Sequence, residues 1–197
     1  KRLETEIRQD QIAEAALDIV RHGGIKALNV AAIAQNVGIV PSAVYRHYKN
    51  KSEVISAVLQ LIEKRLGAHF QEVVNQDLGA IAKLQLLLDR HIPLISGNNA
   101  IPRIIFSEEV IGSTPERRQQ LYSIIQDVIG KVARIIRDGQ QEGSIRNDVD
   151  AESMAVAFMG MIQPAAIIWS LSAGEFDIIN HSQKAWKLFA DSIQIGV

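Results

Sequence analysis

From position 19 to position 52 the chain carries no Asp or Glu, yet Arg21, Lys26, Arg46, Lys49 and Lys51 all fall inside that window. Tyr45, His47 and Tyr48 are interleaved with the last three of those cations. Cations beside hydrogen-bonding aromatics, with no carboxylate among them, suit contact with a phosphate backbone, where duplex DNA presents a charge every ~1.7 Å along its axis. Taken singly, each residue is an ordinary solvated side chain; the shared window gives them a common purpose. Other chemistry is poorly supplied. The chain has no cysteine, which excludes disulfides, thiolate catalysis and Cys-ligated metals. No nucleophile–base arrangement, metal-ligand spacing or phosphate-cradling glycine loop is present, so neither an enzyme nor a bound cofactor or metal is expected. Glu108 and Glu109 are adjacent, and neighbours on a helix point about 100° apart, so they read as solvated rather than convergent.

Two short helices must carry the basic window. Asn29 is placed as the N-cap of a helix over Val30–Val37, whose Val30, Ile33, Ala34 and Val37 keep the i, i+3, i+4, i+7 stripe. Gly38 can take the positive φ of a tight turn, and Pro41 suits the first turn of a second helix over 41–48. That helix turns Val44 and Tyr48 inward and leaves Ser42, Ala43, Tyr45, Arg46 and His47 outside. The pair has the form of a helix-turn-helix that seats its second helix in a DNA major groove. Ahead of it, 7–22 forms an amphipathic helix stopped by Gly23 and Gly24. Behind it, Asn50 and Glu53 resemble a capping box and open a long helix over 51–70.

Further along, apolar periodicity predicts helices over 78–96, 102–111, 115–142, 151–173 and 182–193, with a break at Gly97, Asn98 and Asn99. Thr114 and Pro115 open the long helix over 115–142, and Gly143 closes it. No segment alternates with period two, so the fold class is all-α, with about nine helices. The roles divide as a helix-turn-helix domain over 1–50, a linking helix over 51–70 and a helical body over 71–197. Residues 1–70 carry ten Lys and Arg against seven Asp and Glu, a net of +3, while 71–197 carry eleven against fifteen, a net of −4. A basic head on an acidic body fits nucleic-acid contact at one end only.

Residues 153–174 are uncharged for 22 positions. That length could cross a bilayer. Gln163 and Pro164 at its centre, serines near its ends and the lack of a flanking basic cluster argue instead for a helix buried on all sides, most easily by a second copy of the chain. No membrane partner is expected. Absence of disulfides fits a reducing, cytoplasmic setting.

The run Asn-Val-Ala-Ala-Ile-Ala-Gln-Asn-Val-Gly-Ile, followed by Ala-Val-Tyr-Arg-His-Tyr-Lys-Asn-Lys, resembles the DNA-binding module of the TetR family of bacterial one-component regulators. The resemblance is strongest over 12–58 and covers the rest by pattern. It implies that Tyr45 and His47 bond phosphates, that Ser42, Ala43 and Arg46 read bases, and that Lys49 and Lys51 add charge near the backbone. Asn29 stands where the family often has a Thr or Ser touching the backbone. Val40 departs from the pattern, since it replaces a polar cap. The resemblance further implies a body that binds a small, partly apolar effector and pairs two chains through 151–173 and 182–193. Candidate effector contacts are His91, Arg103, Phe106, Tyr122, Met159, Gln163 and Trp169. His91, beside Ile92 and Pro93, otherwise reads as a helix-end histidine, and Met159 and Trp169 as dimer core. The implied function is a dimeric, ligand-released repressor on a palindromic operator; the alternative is a DNA-bound adaptor that recruits a protein partner without a small-molecule switch.

Overall fold

A computed structural model describes residues 2–97, 100–112 and 114–195. Ten α-helices occur among them: α1 Arg2–Gly23, α2 Val30–Val37, α3 Pro41–Tyr45, α4 Lys51–Val74, α5 Ala80–Gly97, α6 Ala100–Ile105, α7 Glu108–Ile111, α8 Pro115–Gln141, α9 Ala151–Leu171 and α10 Ile178–Ile193. A single 3-10 turn, Ile25–Ala27, joins α1 to α2. The all-α expectation holds.

Two compact units form, and each is discontinuous in sequence. The first comprises 1–65 and 98–123; the second comprises 66–97 and 124–197. In the first, α1 buries Ile12, Ala16, Leu17 and Val20 against α2 and against α6, which contributes the buried Ala100 and Ile104. The α2 helix begins where Asn29 Oδ1 accepts the Ala32 N–H at 2.9 Å. It ends at Gly38, whose φ of 75° lets the Ile39 N–H reach the Ala34 carbonyl at 2.9 Å. Val40 makes no capping hydrogen bond, so Pro41 at the first turn starts α3, as its sequence implied. Asn50 Oδ1 caps α4 by accepting from Glu53 N–H at 3.0 Å, and the Glu53 carboxylate accepts from Lys49 N–H at 2.8 Å.

Several helices depart from expectation: α1 begins at Arg2 rather than 7, α4 runs to Val74 rather than 70, and α10 begins at Ile178 rather than 182, where Asp177 Oδ1 accepts from the Asn180 N–H at 3.0 Å. The α3 helix stops at Tyr45, three residues short, because the His47 and Tyr48 N–H groups both turn to the Val44 carbonyl. The helix expected over 102–111 is two: Ser107 Oγ donates to the Ile104 carbonyl at 2.7 Å and closes α6 before α7 begins. Pro93 lies inside α5, so His91 is a mid-helix residue rather than a helix-end one. The expected break at Asn98 and Asn99 falls outside the described residues.

The second unit packs α5, α9 and α10 on one another, with Leu84, Leu88, Val132, Ile136, Ala155 and Phe158 at its centre. Gly139 permits a close crossing here, since a Cβ would come within 2.6 Å of Ala80 Cβ and 2.7 Å of Ile145 Cδ1. Mid-helix Gly→Ala normally gains about 0.5–1 kcal/mol. Gly139→Ala should instead lose about 1–3 kcal/mol through overpacking, seen as a lower urea midpoint; an unchanged or raised midpoint would refute the close-crossing account.

Within one copy, α9 is long and apolar enough to cross a membrane, yet only 33% of its apolar window is buried. One face (Met154, Ala155, Phe158, Ile162) enters the core, whereas Val156, Ile167, Ile168 and Leu171 face outward. On α10, Ile179 and Leu188 are also exposed.

Candidate nucleic-acid interface and effector cavity

Local signals alone place the candidate DNA surface. The Val44 side chain is fully buried and anchors α3, which leaves Ser42, Tyr45 and Arg46 exposed and Ala43 and His47 partly exposed. Tyr45 is 54% exposed, unusual for a tyrosine that serves only packing. Lys49 is exposed just ahead of α4. Asn29 is occupied by structure: besides capping α2, its amide donates to the Ala27 carbonyl at 3.1 Å.

Lys51 is more constrained than an open phosphate ligand. Its ammonium donates to the Ile25 carbonyl at 3.3 Å and lies 3.8 Å from the Glu109 carboxylate, with both side chains about a third exposed. Glu109 is therefore an ion-pair partner within the same unit, not a free surface acid. Beside it, Arg117 is 7% exposed. Its guanidinium donates to the Glu109 carbonyl at 2.6 Å, to the Ser52 carbonyl at 2.7 Å and to the Ser52 hydroxyl. Gln120 Nε2 donates to the Ser56 carbonyl at 3.0 Å. Burial pushes the Arg117 pKa below its ordinary value, though a guanidinium stays charged near neutrality. The first turn of α4, which follows the candidate reading helix directly, is thus gripped by the start of α8.

A cavity lies inside the second unit. Leu66, His69, Phe70 and Val73 of α4 line it with Leu87, Arg90, His91 and Leu94 of α5, Val128 of α8, and Phe158, Met159 and Ile162 of α9. Its volume is about 20 Å³, room for roughly one water molecule. Three polar side chains, His69, Arg90 and His91, interrupt the apolar wall. The Arg90 guanidinium pairs with the Glu72 carboxylate at 2.9 Å. His69 Nδ1 is buried without a protein hydrogen-bond partner, a situation that costs about 1–3 kcal/mol per group.

Burial holds the His91 pKa down at about 4, and the neighbouring His69 adds to that shift. The fold therefore favours neutral His91. A histidine with an unfolded pKa near 6.5 takes up its proton more readily in the unfolded chain. His91 leaves stability untouched above pH 6.5 and lowers it progressively down to about pH 4, by roughly 3 kcal/mol in full. In His91→Leu this slope between pH 6.5 and 4 should be shallower than in the parent, measured by urea unfolding at several pH values; an identical slope would remove His91 from the account.

Of the seven candidate effector contacts, the structure brings two, His91 and Met159, to the cavity. Arg103, Phe106 and Tyr122 belong to the first unit, with Phe106 and Tyr122 exposed. Gln163 and Trp169 lie on α9, outside the cavity lining. Sequence reasoning missed His69, Arg90 and Arg117. The spacing 66, 69, 70, 73 was visible as a helical stripe, but a stripe does not reveal whether it meets a wall or a void.

Comparison with known proteins gives this geometry a lineage. Residues 12–58 match the family described as "Bacterial regulatory proteins, tetR family". Residues 51–192 match "YsiA-like protein, C-terminal region". A fatty acid metabolism regulator protein of Bacillus subtilis (strain 168) is 23% identical over 186 residues, covering 93% of this chain and 94% of the relative. A nucleoid occlusion factor SlmA of Aliivibrio fischeri is 18% identical over 188 residues, covering 95% and 96%. Among solved structures, the transcriptional regulator FadR from Bacillus subtilis in complex with stearoyl-CoA superposes with a TM-score of 0.78 at 22% identity, covering 93% of this chain and 98% of that one. The helix-turn-helix and the helical body are matched together, and the chain belongs to the TetR family of bacterial DNA-binding transcriptional regulators.

Proposed function

We infer that the protein is a homodimeric repressor that leaves a palindromic operator when an apolar small molecule opens the cavity of its second unit. The observation that carries this is the cavity itself, an apolar lining drawn from α4, α5, α8 and α9. At about 20 Å³ it cannot admit a chain-like ligand without separating those helices, and a ligand that binds only the separated state shifts the population toward it. The Bacillus subtilis relatives, one called a fatty acid metabolism regulator and one solved with stearoyl-CoA, support an acyl chain as the class of ligand. Tyr45 and His47 take phosphates, Ser42, Ala43 and Arg46 read bases, and Asn29, Lys49 and Lys51 support the backbone contact. Outward apolar residues on α9 and α10, Leu171 at 82% and Leu188 at 75% exposure among them, suit burial against a second copy. Pairing through 151–173 and 182–193 would set two reading helices about 34 Å apart, one helical turn of DNA. Regulation of chromosomal DNA places the protein in the cytoplasm. By this division of roles, 1–50 reads DNA, 51–70 links and lends Leu66, His69 and Phe70 to the cavity wall, and 71–197 supplies the rest of the sensor and the dimer surface.

Fluorescence anisotropy with the DNA upstream of its own gene tests this. Binding at about 10⁻⁸ M or tighter, steeply weakened by salt and reversed by stearoyl-CoA, is expected. Binding that no acyl ligand reverses favours a second reading, supported by the SlmA relative: a DNA-bound adaptor for a protein partner. A monomer in solution, or no DNA binding at low salt, overturns both.

A further inference from the structure

We propose that His69 and His91 together form the polar contact of the cavity and take one uncharged oxygen, a carbonyl or hydroxyl, set in an otherwise apolar effector. The inference rests on the effector reading above and names the chemistry of that same site. Both imidazoles line one cavity, from α4 and α5 respectively. His69 Nδ1 is buried there with no protein partner, and a buried polar atom in a working site calls for one. The rest of the lining is apolar apart from Arg90.

The charge of the oxygen follows from what surrounds it. A carboxylate brought among these residues would be stripped of water and would need a cation. Arg90 is already committed to Glu72 at 2.9 Å. His91 is held neutral by its burial and by His69, so it cannot supply the charge without first gaining a proton that the cavity disfavours. A neutral imidazole offers one N–H donor and one acceptor. Neutral His91 and the unpartnered His69 Nδ1, lining the same cavity, can between them bond a carbonyl or a hydroxyl. Esters, thioesters, ketones and alcohols satisfy this; ionised fatty acids do not.

The test uses full-length protein and four probes of equal chain length: methyl octanoate, 1-octanol, 1-chlorooctane and octanoate. Trp186 reports binding, because its ring lies 6.5 Å from that of Phe158 in the cavity wall. Methyl octanoate and 1-octanol should bind about tenfold tighter than 1-chlorooctane, the worth of one good hydrogen bond, and octanoate weakest at neutral pH. His69→Leu and His91→Leu should each erase the preference over 1-chlorooctane while keeping affinity for 1-chlorooctane itself. Should either variant fold poorly, ¹⁵N-histidine spectra of the parent protein give the same answer, with the His69 Nδ1 resonance moving on addition of 1-octanol and not of 1-chlorooctane. Probes that bind without preference, or a preference that survives both substitutions, overturn the histidine assignment and leave the effector cavity standing. If none of the four binds, the cavity reading and this proposal fall together.

Discussion

Arg46→Ala is expected to weaken operator binding at least 30-fold and to relax specificity at one position of each half-site. Arg46 is exposed at the end of α3, and no carboxylate occurs between positions 19 and 52 to compete for it. A guanidinium that bonds guanine O6 and N7 contributes about 1–3 kcal/mol of discrimination. A two-fold dimer loses that contact twice, about 2–6 kcal/mol in total. Tyr45→Ala should behave differently, weakening all sequences alike, because a phosphate contact carries no base information. Lys51→Ala should cost less than either, since the Lys51 ammonium is shared with the Ile25 carbonyl and Glu109. Anisotropy against an operator and its single-base variants separates the three. Equal affinity and unchanged base preference for Arg46→Ala would remove it from the base-reading set.

The second large effect concerns the body. Phe158→Ala should lower the unfolding free energy by about 3–5 kcal/mol, the usual cost of truncating a fully buried aromatic. Phe158 is 1% exposed and meets Phe189 and Trp186 edge-on, with ring centroids 5.7 and 6.5 Å away. The void left behind adjoins the existing cavity, so the same substitution should tighten binding of a bulky apolar ligand, which no longer has to part the helices as far. Urea unfolding followed by tryptophan fluorescence measures the first effect and ligand titration the second. A loss under about 1 kcal/mol would show that α9 and α10 collapse into the gap.

Local signals were readable in the sequence and long-range ones were not. Asn29, Gly38, Pro41, Asn50 and Glu53 each act within four residues of themselves, so the boundaries of α2 and the starts of α3 and α4 could be placed. The early end of α3 depends on His47 and Tyr48 sharing one carbonyl, and no residue type announces that. His91 beside Pro93 read as a helix-end residue, yet α5 runs through both with Ile92 and Ile95 buried around the proline; tertiary packing outweighed the local penalty. On the candidate DNA surface, the exposure of Ser42, Tyr45 and Arg46 was foreseeable from Val44 facing inward. In the body, His91 and Met159 could be named, while His69 and Arg90 emerged only when four helices were brought together. Arg117 gave no signal at all, because its partners lie 65 residues away at Ser52 and eight residues away on a backbone carbonyl.

That grip of Arg117 on Ser52, inside a unit made of 1–65 and 98–123, bears on how such proteins can diversify. A single crossover that joined residues 1–65 to a foreign body would discard α6, α7 and the start of α8. It would remove the packing of α6 on α1 and leave the Ser52 carbonyl and the Lys51 ammonium with fewer partners. Exchange of the first unit as a whole therefore needs three crossovers, after positions 65, 97 and 123, rather than one, so the two units should diverge through point substitutions more readily than through shuffling.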